Sequence, residues 1–471
     1  MTLRSLTLSA AAITLLTGCT MTPAYEQPGL PVASQWPVAE ASTLSTEGKQ
    51  AVSTITWQDF FKSPVLQKVI ATSLENNRDL RIAALNIEEA RALYRVQRAD
   101  LMPTINAGVG ATRQRIPEDL SLTGKSETTT QYDANVGVTA FELDLFGRVR
   151  SLSEAAFEEY LAVEENRNAV QIALVAEVAN VYIQLLADQK ILTLAQDTLS
   201  SQQKSFDLIE RSNALGAATK LDLSRSRTIL ETARADVARF TRLVAQDKNA
   251  LILLMGTGDA AALTDTETLD GLQLLTSIPV GLPSDVLVLR PDVRAAEHRL
   301  KASNANIGAA RAAFFPRLTL TGALGFASDA LSSLFTGGAA GAWAFAPQLT
   351  LPLFEGGRNV AGLDLAEARK NIAIATYEKT VQTAFREVAD ELAARETLAE
   401  QLAAQRRLAA ASKDAYTLSD ARYRSGIDSF FIALDAQREY YASQQQEILV
   451  QQQYYANLVM LYKTLGGGAT P

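Results

Sequence analysis

Reactive chemistry in this 471-residue chain is confined to few places, because it holds one cysteine and one histidine. The cysteine, Cys19, closes Leu16-Thr17-Gly18-Cys19, which has the form of a bacterial lipobox with a small residue before the thiol. Arg4 and the short apolar run Leu6 to Leu16 precede it. That run is too short to span a bilayer and reads as a secretory signal peptide over 1–18. The expected chemistry is lipidation of the Cys19 thiol and cleavage just before it. Thr20 is not aspartate, so the usual signal for inner-membrane retention is missing. One acyl chain anchors weakly and several anchor well.

Other reaction classes find no residues. A single cysteine and a single histidine exclude a disulfide framework, a Cys/His zinc site and a Cys-His nucleophilic dyad. No loop has the Asp/Asn/Gly spacing of a hard-cation site. His298, within Ala296-Glu297-His298-Arg299, reads as a structural or surface histidine. Gly466-Gly467-Gly468 follows a helix with no strand before it, so it reads as a cap and not a phosphate loop. No acid-base constellation gathers. The chain is expected not to be an enzyme and to carry no cofactor or metal beyond the lipid on Cys19. The formal net charge is −8, with no basic stripe among aromatics, so nucleic acid is not an expected partner.

The dominant element is a helix from about Arg148 to Ser212. Leu174, Val181 and Ala195 share one heptad position, and Val178, Leu185, Leu192 and Leu199 share another; Asp188 breaks the stripe. A seven-residue repeat makes a seam that wants a partner helix. At about 1.5 Å per residue such a helix is roughly 100 Å long. Leu215-Gly216-Ala217-Ala218-Thr219 supplies a left-handed glycine cap and an N-cap threonine for a return helix to Met255.

The halves repeat. Asp79, Arg81, Arg98 and Pro103 recur as Asp292, Arg294, Arg311 and Pro316, and Arg148, Glu177, Val178 and Gly216 recur as Arg358, Glu387, Val388 and Gly426. The expected organisation is a tether over 19–60, repeat 1 over 61–258, a joining segment over 259–283 and repeat 2 over 284–468. Each repeat carries a helix (64–101; 284–314), two strands, a long helix (148–212; 358–424) and a return helix (220–255; 429–465). The hairpin tips fall at 213–219 and 424–429, the second with a glycine turn and N-cap Ser429. Charged residues are only 20%, which is low for a freely soluble coiled coil, and beyond the leader no run of eighteen apolar residues exists, so no helix is expected to cross a membrane.

Period-two segments supply the strands, at 104–115, 131–143, 317–328 and 342–354. Ile105, Ala107, Val109 and Ala111 alternate with Asn106, Gly108 and Gly110; Leu318, Leu320, Leu324 and Phe326 alternate with Thr319, Thr321 and Gly325. The lengths suit tilted membrane strands, and aromatics fall at two levels, as in girdles. Four strands cannot close a barrel, and lipid tolerates no open edge. Two, three or four chains must therefore share one, and the small polar alternates suit a wetted lumen. The fold class is a mixed α/β membrane protein: a shared transmembrane β-barrel continued by a long α-helical barrel, with an internal two-fold repeat. A periplasmic coiled coil without a pore is the rival reading, should the strands lie outside the membrane.

Several of these stretches resemble one family. Glu142-Leu143-Asp144-Leu145-Phe146-Gly147-Arg148, Gly281-Leu282-Pro283-Ser284-Asp285 with Arg290-Pro291-Asp292-Val293-Arg294-Ala295-Ala296-Glu297, Ala313-Phe314-Phe315-Pro316, and Arg422-Tyr423-Arg424-Ser425-Gly426 with Leu434-Asp435-Ala436-Gln437-Arg438 resemble the outer membrane factors. Within that family the chain resembles the lipoprotein OprM branch of the TolC-like group, over nearly all of 19–468. The resemblance implies a homotrimer with a twelve-stranded barrel in a Gram-negative outer membrane, lipid-anchored and extending into the periplasm as a helical tunnel. It implies an exit channel for drugs and other small molecules, partnered by a periplasmic adaptor and an inner-membrane resistance-nodulation-division pump. A type I protein secretion duct is the alternative. It also implies an inner gate, which by motif falls on Tyr423, Phe431, Asp435 and Arg438. In repeat 1 Arg225 takes the place of Asp435, with Asp222 one turn before it. The tips around Leu215, Gly216, Ser425 and Gly426 are the expected adaptor contacts. Phe431 departs from the aliphatic residue commoner in close relatives.

Overall fold

The computed structural model describes residues 20–37, 55–258, 267–276, 286–334 and 340–467. The signal peptide, Cys19, the Gly281–Asp285 stretch and most of the joining segment lie outside the described residues. The chain forms two compact units. The elements in chain order are α1 (Trp57–Phe60), α2 (Pro64–Asn76), α3 (Arg78–Ala99), β1 (Ile105–Ile116), β2 (Glu127–Leu143), α4 (Arg148–Ala214), α5 (Lys220–Met255), α6 (Pro291–Ala312), β3 (Arg317–Ser328), β4 (Ala340–Thr350), α7 (Arg358–Arg424) and α8 (Phe430–Thr464).

One unit comprises Met1–Gly29, Asn86–Val163 and Ala295–Tyr377, and contains one antiparallel sheet in the order β1-β2-β3-β4. Register places Ala107, Val136, Leu324 and Trp343 in one row, and Ile105, Val138, Gly322 and Phe345 in the next. These rows make one apolar face, on which Val109, Leu324 and Trp343 are exposed. The opposite rows are Gly108, Asn135, Gly325 and Ala342, then Asn106, Gly137, Ala323 and Ala344. That face is small and polar. A bulge between Val138 and Phe141, with Ala140 at φ 53, returns Phe141 to the apolar face beside Leu320. The alternation of the sequence is thus the two-faced character of the sheet.

Strand ends differ from expectation. β2 starts at Glu127, because Thr128 and Thr130 pair with Arg115 and Arg113. β4 stops at Thr350 and not 354; Pro352, just beyond, has no N–H to donate. Charged pairs brace the strand-to-helix turn: Arg148 grips Glu142 with Nε–Oε1 2.9 Å and Nη2–Oε2 2.7 Å, and Asp144 accepts from the Arg150 backbone N–H at 2.8 Å. Residues 20–29 strap onto the same unit. Thr22 Oγ1 meets Ser151 Oγ at 2.9 Å, and Asn304 Nδ2 donates to the Pro23 carbonyl at 2.8 Å.

The second unit comprises Leu30–Leu85, Glu164–Arg294 and Glu378–Pro471, and is helical. Its core includes Val178, Ile183, Ile191, Leu251, Val388 and Val459, all nearly or fully buried. An 18-residue window of α4 is apolar enough by composition to cross a membrane, but 56% of it is buried inside the protein. Its hydrophobicity serves the helical core. The end of the expected tether also belongs to this core. Phe60 and Phe61 are fully buried, and Phe60 stacks on Tyr462 at 4.2 Å.

The single helix expected over 64–101 is two. Asn77 breaks it by accepting from the N–H groups of Asp79 and Leu80 through Oδ1, an N-cap that replaces the helical continuation. Its Nδ2 donates to the Leu254 carbonyl at 2.9 Å, tying α2–α3 to the end of α5. There Gly256 caps α5 at φ 65. A Cβ at Gly256 would run into the Asn76 carbonyl oxygen. Gly256→Ala therefore combines left-handed strain with a backbone clash and is expected to cost about 3 kcal/mol. A thermal-unfolding midpoint equal to wild type would contradict this.

Candidate functional site

Both hairpin tips lie in the helical unit. The first is closed by Gly216 at φ 74, and Leu215 is 85% exposed. Thr219 starts α5 with a reciprocal capping box: its hydroxyl accepts from the Asp222 N–H, and the Asp222 carboxylate accepts from the Thr219 N–H at 3.1 Å. Asp222 is therefore engaged as a cap. The second tip is closed by Gly426 at φ 69, and the Ser425 hydroxyl donates to the Ala421 carbonyl at 2.9 Å. Ser429 occupies the N-cap position of α8 without a side-chain capping bond. An Arg422–Asp428 ion pair closes this turn instead, holding the Asp428 carboxyl below its usual range through that hydrogen bond.

Helical phase sorts the gate candidates. Phe431 and Asp435 are four residues apart and share one face of α8. They line a cavity of about 340 Å³ with Ser412, Ser419 and Glu439. Arg438 pairs with Asp435 at 2.6 Å along the same helix. The Arg225 guanidinium sits 4.8 Å from the centre of the Phe431 ring, joining α5 to α8. Tyr423 is not brought to these residues. It packs against Phe430 at 5.3 Å and lines a different cavity of about 230 Å³ with Ser201, Lys204 and Gln437. Burial raises the Tyr423 pKa, and Asp222 and Asp420 add to the shift. Glu439, which the sequence did not single out, stands one turn beyond Asp435 on the same cavity.

A second polar cluster lies further along the helices. Asp188, which interrupts the apolar stripe of α4, is 3% exposed. It accepts from Gln184 Nε2 at 3.0 Å, and Gln452 donates to Gln184 at 2.6 Å. Asp247 of α5 faces it. Burial, reinforced by the charge of Asp188 and a hydrogen bond to it, pushes the Asp247 carboxyl up to about 7. The unfolded reference is 3.8, so the folded pKa is raised. Stability from this pair is full below the unfolded pKa and is lost as pH rises through about 7. Asp247→Asn is expected to raise the pH 8 melting point and flatten its decline from pH 5 to 8. Discounted for partial exposure, the gain at pH 8 is on the order of 1–2 kcal/mol. A decline of equal slope in the variant would remove Asp247 from the account.

Comparisons with known proteins agree with this architecture. Residues 69–257 and 282–467 match the family model described as outer membrane efflux protein. The chain is 50% identical over 465 residues to a toluene efflux pump outer membrane protein, TtgC, of Pseudomonas putida, covering 99% of this chain and 96% of that protein. It is equally similar, at 50% over 465 residues and with the same coverage, to the antibiotic efflux pump outer membrane protein ArpC of Pseudomonas putida. Among solved structures, the open state of the Neisseria gonorrhoeae MtrE outer membrane channel superposes with a TM-score of 0.86 at 39% identity, covering 96% of this chain and 99% of that one.

Proposed function

The chain belongs to the outer membrane efflux protein family, and on that footing we propose that three copies form the outer membrane exit duct of a tripartite efflux system. It resides in the outer membrane and extends into the periplasm. An inner-membrane resistance-nodulation-division pump supplies antibiotics and other small molecules, and a periplasmic adaptor seats on the tips at Leu215-Gly216 and Ser425-Gly426. The duct itself conducts passively and does no catalysis. The observation that carries this reading is the sheet: apolar on one face, small and polar on the other. The outer edges of β1 and β4 end the four-strand order. In lipid such edges must pair, and three copies give twelve strands, enough to leave a lumen.

The gate consists of Phe431, Asp435 and Glu439 on α8. The Arg225–Phe431 contact holds the second hairpin against the first, and adaptor docking at the tips releases it. Asp222 and Tyr423 support the tip as a helix cap and as a packed ring. Arg438 neutralises part of the Asp435 charge. The lipid on Cys19 anchors the chain at the inner face of the membrane. In support, Thr20 packs beside Gly147, where β2 passes into α4.

Deleting the gene is expected to raise accumulation of a pumped antibiotic in the host cell, with export restored by the wild-type copy. Unchanged accumulation, in cells whose pump and adaptor are active and with no second duct present, would contradict the assignment.

A further inference from the structure

We infer that Arg113 and Arg115 form a docking site for the phosphate groups of the glycolipid in the outer leaflet. The inference rests on the barrel orientation proposed above. Even-numbered β2 residues from Tyr132 to Val138 lie on the apolar face, and register puts Val109 opposite Ala134 and Ala111 opposite Tyr132. Continuing the same rows, Arg113 lies opposite Thr130 and Arg115 opposite Thr128. Both arginines thus project from the lipid-facing side. Among the described strand residues of that face they are the charged ones, and both stand at the hairpin end, away from the helices.

Their depth follows from the strand. From Leu143, paired with Leu318, to Tyr132 is about eleven residues. At about 3.3 Å per residue and a tilt near 40°, this spans roughly 28 Å, close to the apolar band of about 25 Å expected of such barrels. Tyr132 and Phe326 sit at its outer margin, where aromatic residues mark the interface. Arg113 and Arg115 fall about 5 and 10 Å beyond it, within the headgroup layer.

The chemistry at that depth selects a phosphate. Guanidinium groups bind phosphate oxygens through two parallel N–H donors. Alternate residues on one strand face are about 7 Å apart, so two such forks can straddle one headgroup. Arg115 is already oriented, since its Nε donates to Ser126 Oγ at 2.9 Å, a bond that does not use its two terminal amino groups. Glu127 lies opposite Ile116 on the other face and is held by the Ser121 hydroxyl. Glu118 and Asp119 belong to the 3₁₀ turn beyond the strand.

The test is native mass spectrometry of the full-length protein in detergent, titrated with bisphosphorylated lipid A, with the same lipid stripped of both phosphates, and with inorganic phosphate. Wild type is expected to bind the bisphosphorylated lipid roughly tenfold or more tightly over the stripped one. Arg113→Ala with Arg115→Ala should abolish that preference, and replacement of both by lysine should retain part of it. Equal affinity of wild type for the two lipids would overturn the inference, without reliance on any variant. So would a preference that survives the alanine pair. Inorganic phosphate competing as well as the lipid would identify a free-anion site and overturn the lipid assignment. Protein that fails to assemble as a trimer in detergent would overturn the shared barrel and this inference together, whereas an assembled trimer indifferent to phosphate overturns this inference alone.

Discussion

Phe431→Ala is expected to raise the conductance of the resting channel roughly tenfold. Each chain loses the contact between Arg225 and the Phe431 ring, 4.8 Å from guanidinium to centroid. At an exposed site such a contact contributes about 0.5–1 kcal/mol. In the proposed trimer, three chains around one axis would lose about 1.5 kcal/mol or more of closed-state preference, which is a tenfold shift in population. The three rings also leave the constriction. Asp435→Ala should behave differently. Its partner Arg438 lies one turn along the same helix, so their exposed pair ties no hairpin to another and is worth little to closure. This substitution should weaken ion selectivity more than it raises conductance. Tyr423→Phe keeps the ring against Phe430 and should change neither. Planar-bilayer recordings of the three variants decide the matter. A silent Phe431→Ala beside a strongly conducting Tyr423→Phe would move the gate to the other cavity.

Arg290→Ala is expected to cost about 3–5 kcal/mol of stability. Arg290 is 8% exposed. Its Nε and Nη2 reach Asp292 at 3.0 and 2.7 Å, Nη2 also reaches Glu387 at 2.8 Å, and Nη1 donates to the Thr464 carbonyl at 2.9 Å. One guanidinium therefore ties the start of α6, the middle of α7 and the last turn of α8. Removing it leaves two carboxylates facing each other and a buried carbonyl without its donor. Arg290→Lys, a point charge without the fork, should recover less than half of the loss. Chemical denaturation of the three proteins measures it, and an alanine variant within 1 kcal/mol of wild type would contradict it.

What the sequence discloses depends on how local the cause is. The strands are readable because alternation is written residue by residue, and the tips because glycine at Gly216 and Gly426 is needed for a left-handed cap. Thr219 announces its cap through Asp222 three residues on. Ser429 has the same position without the bond, since its turn is closed by Arg422 and Asp428. The break at Asn77 is hidden in a helical pattern, and its reason, the Leu254 carbonyl, is far away in sequence. Asp188 is visible as an interruption of the stripe, but Asp247 gives no sign of being its partner. The proposed gate residues are legible as a motif and not as a geometry. Phase on α8 unites Phe431 and Asp435, whereas Tyr423, on α7, turns to Phe430. That Arg225 and not Asp222 meets Phe431 depends on the packing of α5 against α8, which no local pattern records.

The most direct test of a gated efflux duct is the reversal potential of the purified wild-type protein in a planar bilayer under a potassium chloride gradient. The expected result is a small conductance with a reversal potential displaced toward that of potassium, because in the proposed trimer Asp435 and Glu439 of three chains would concentrate negative charge at one constriction. Inserted trimeric protein that passes no current, or that prefers chloride, would contradict the account.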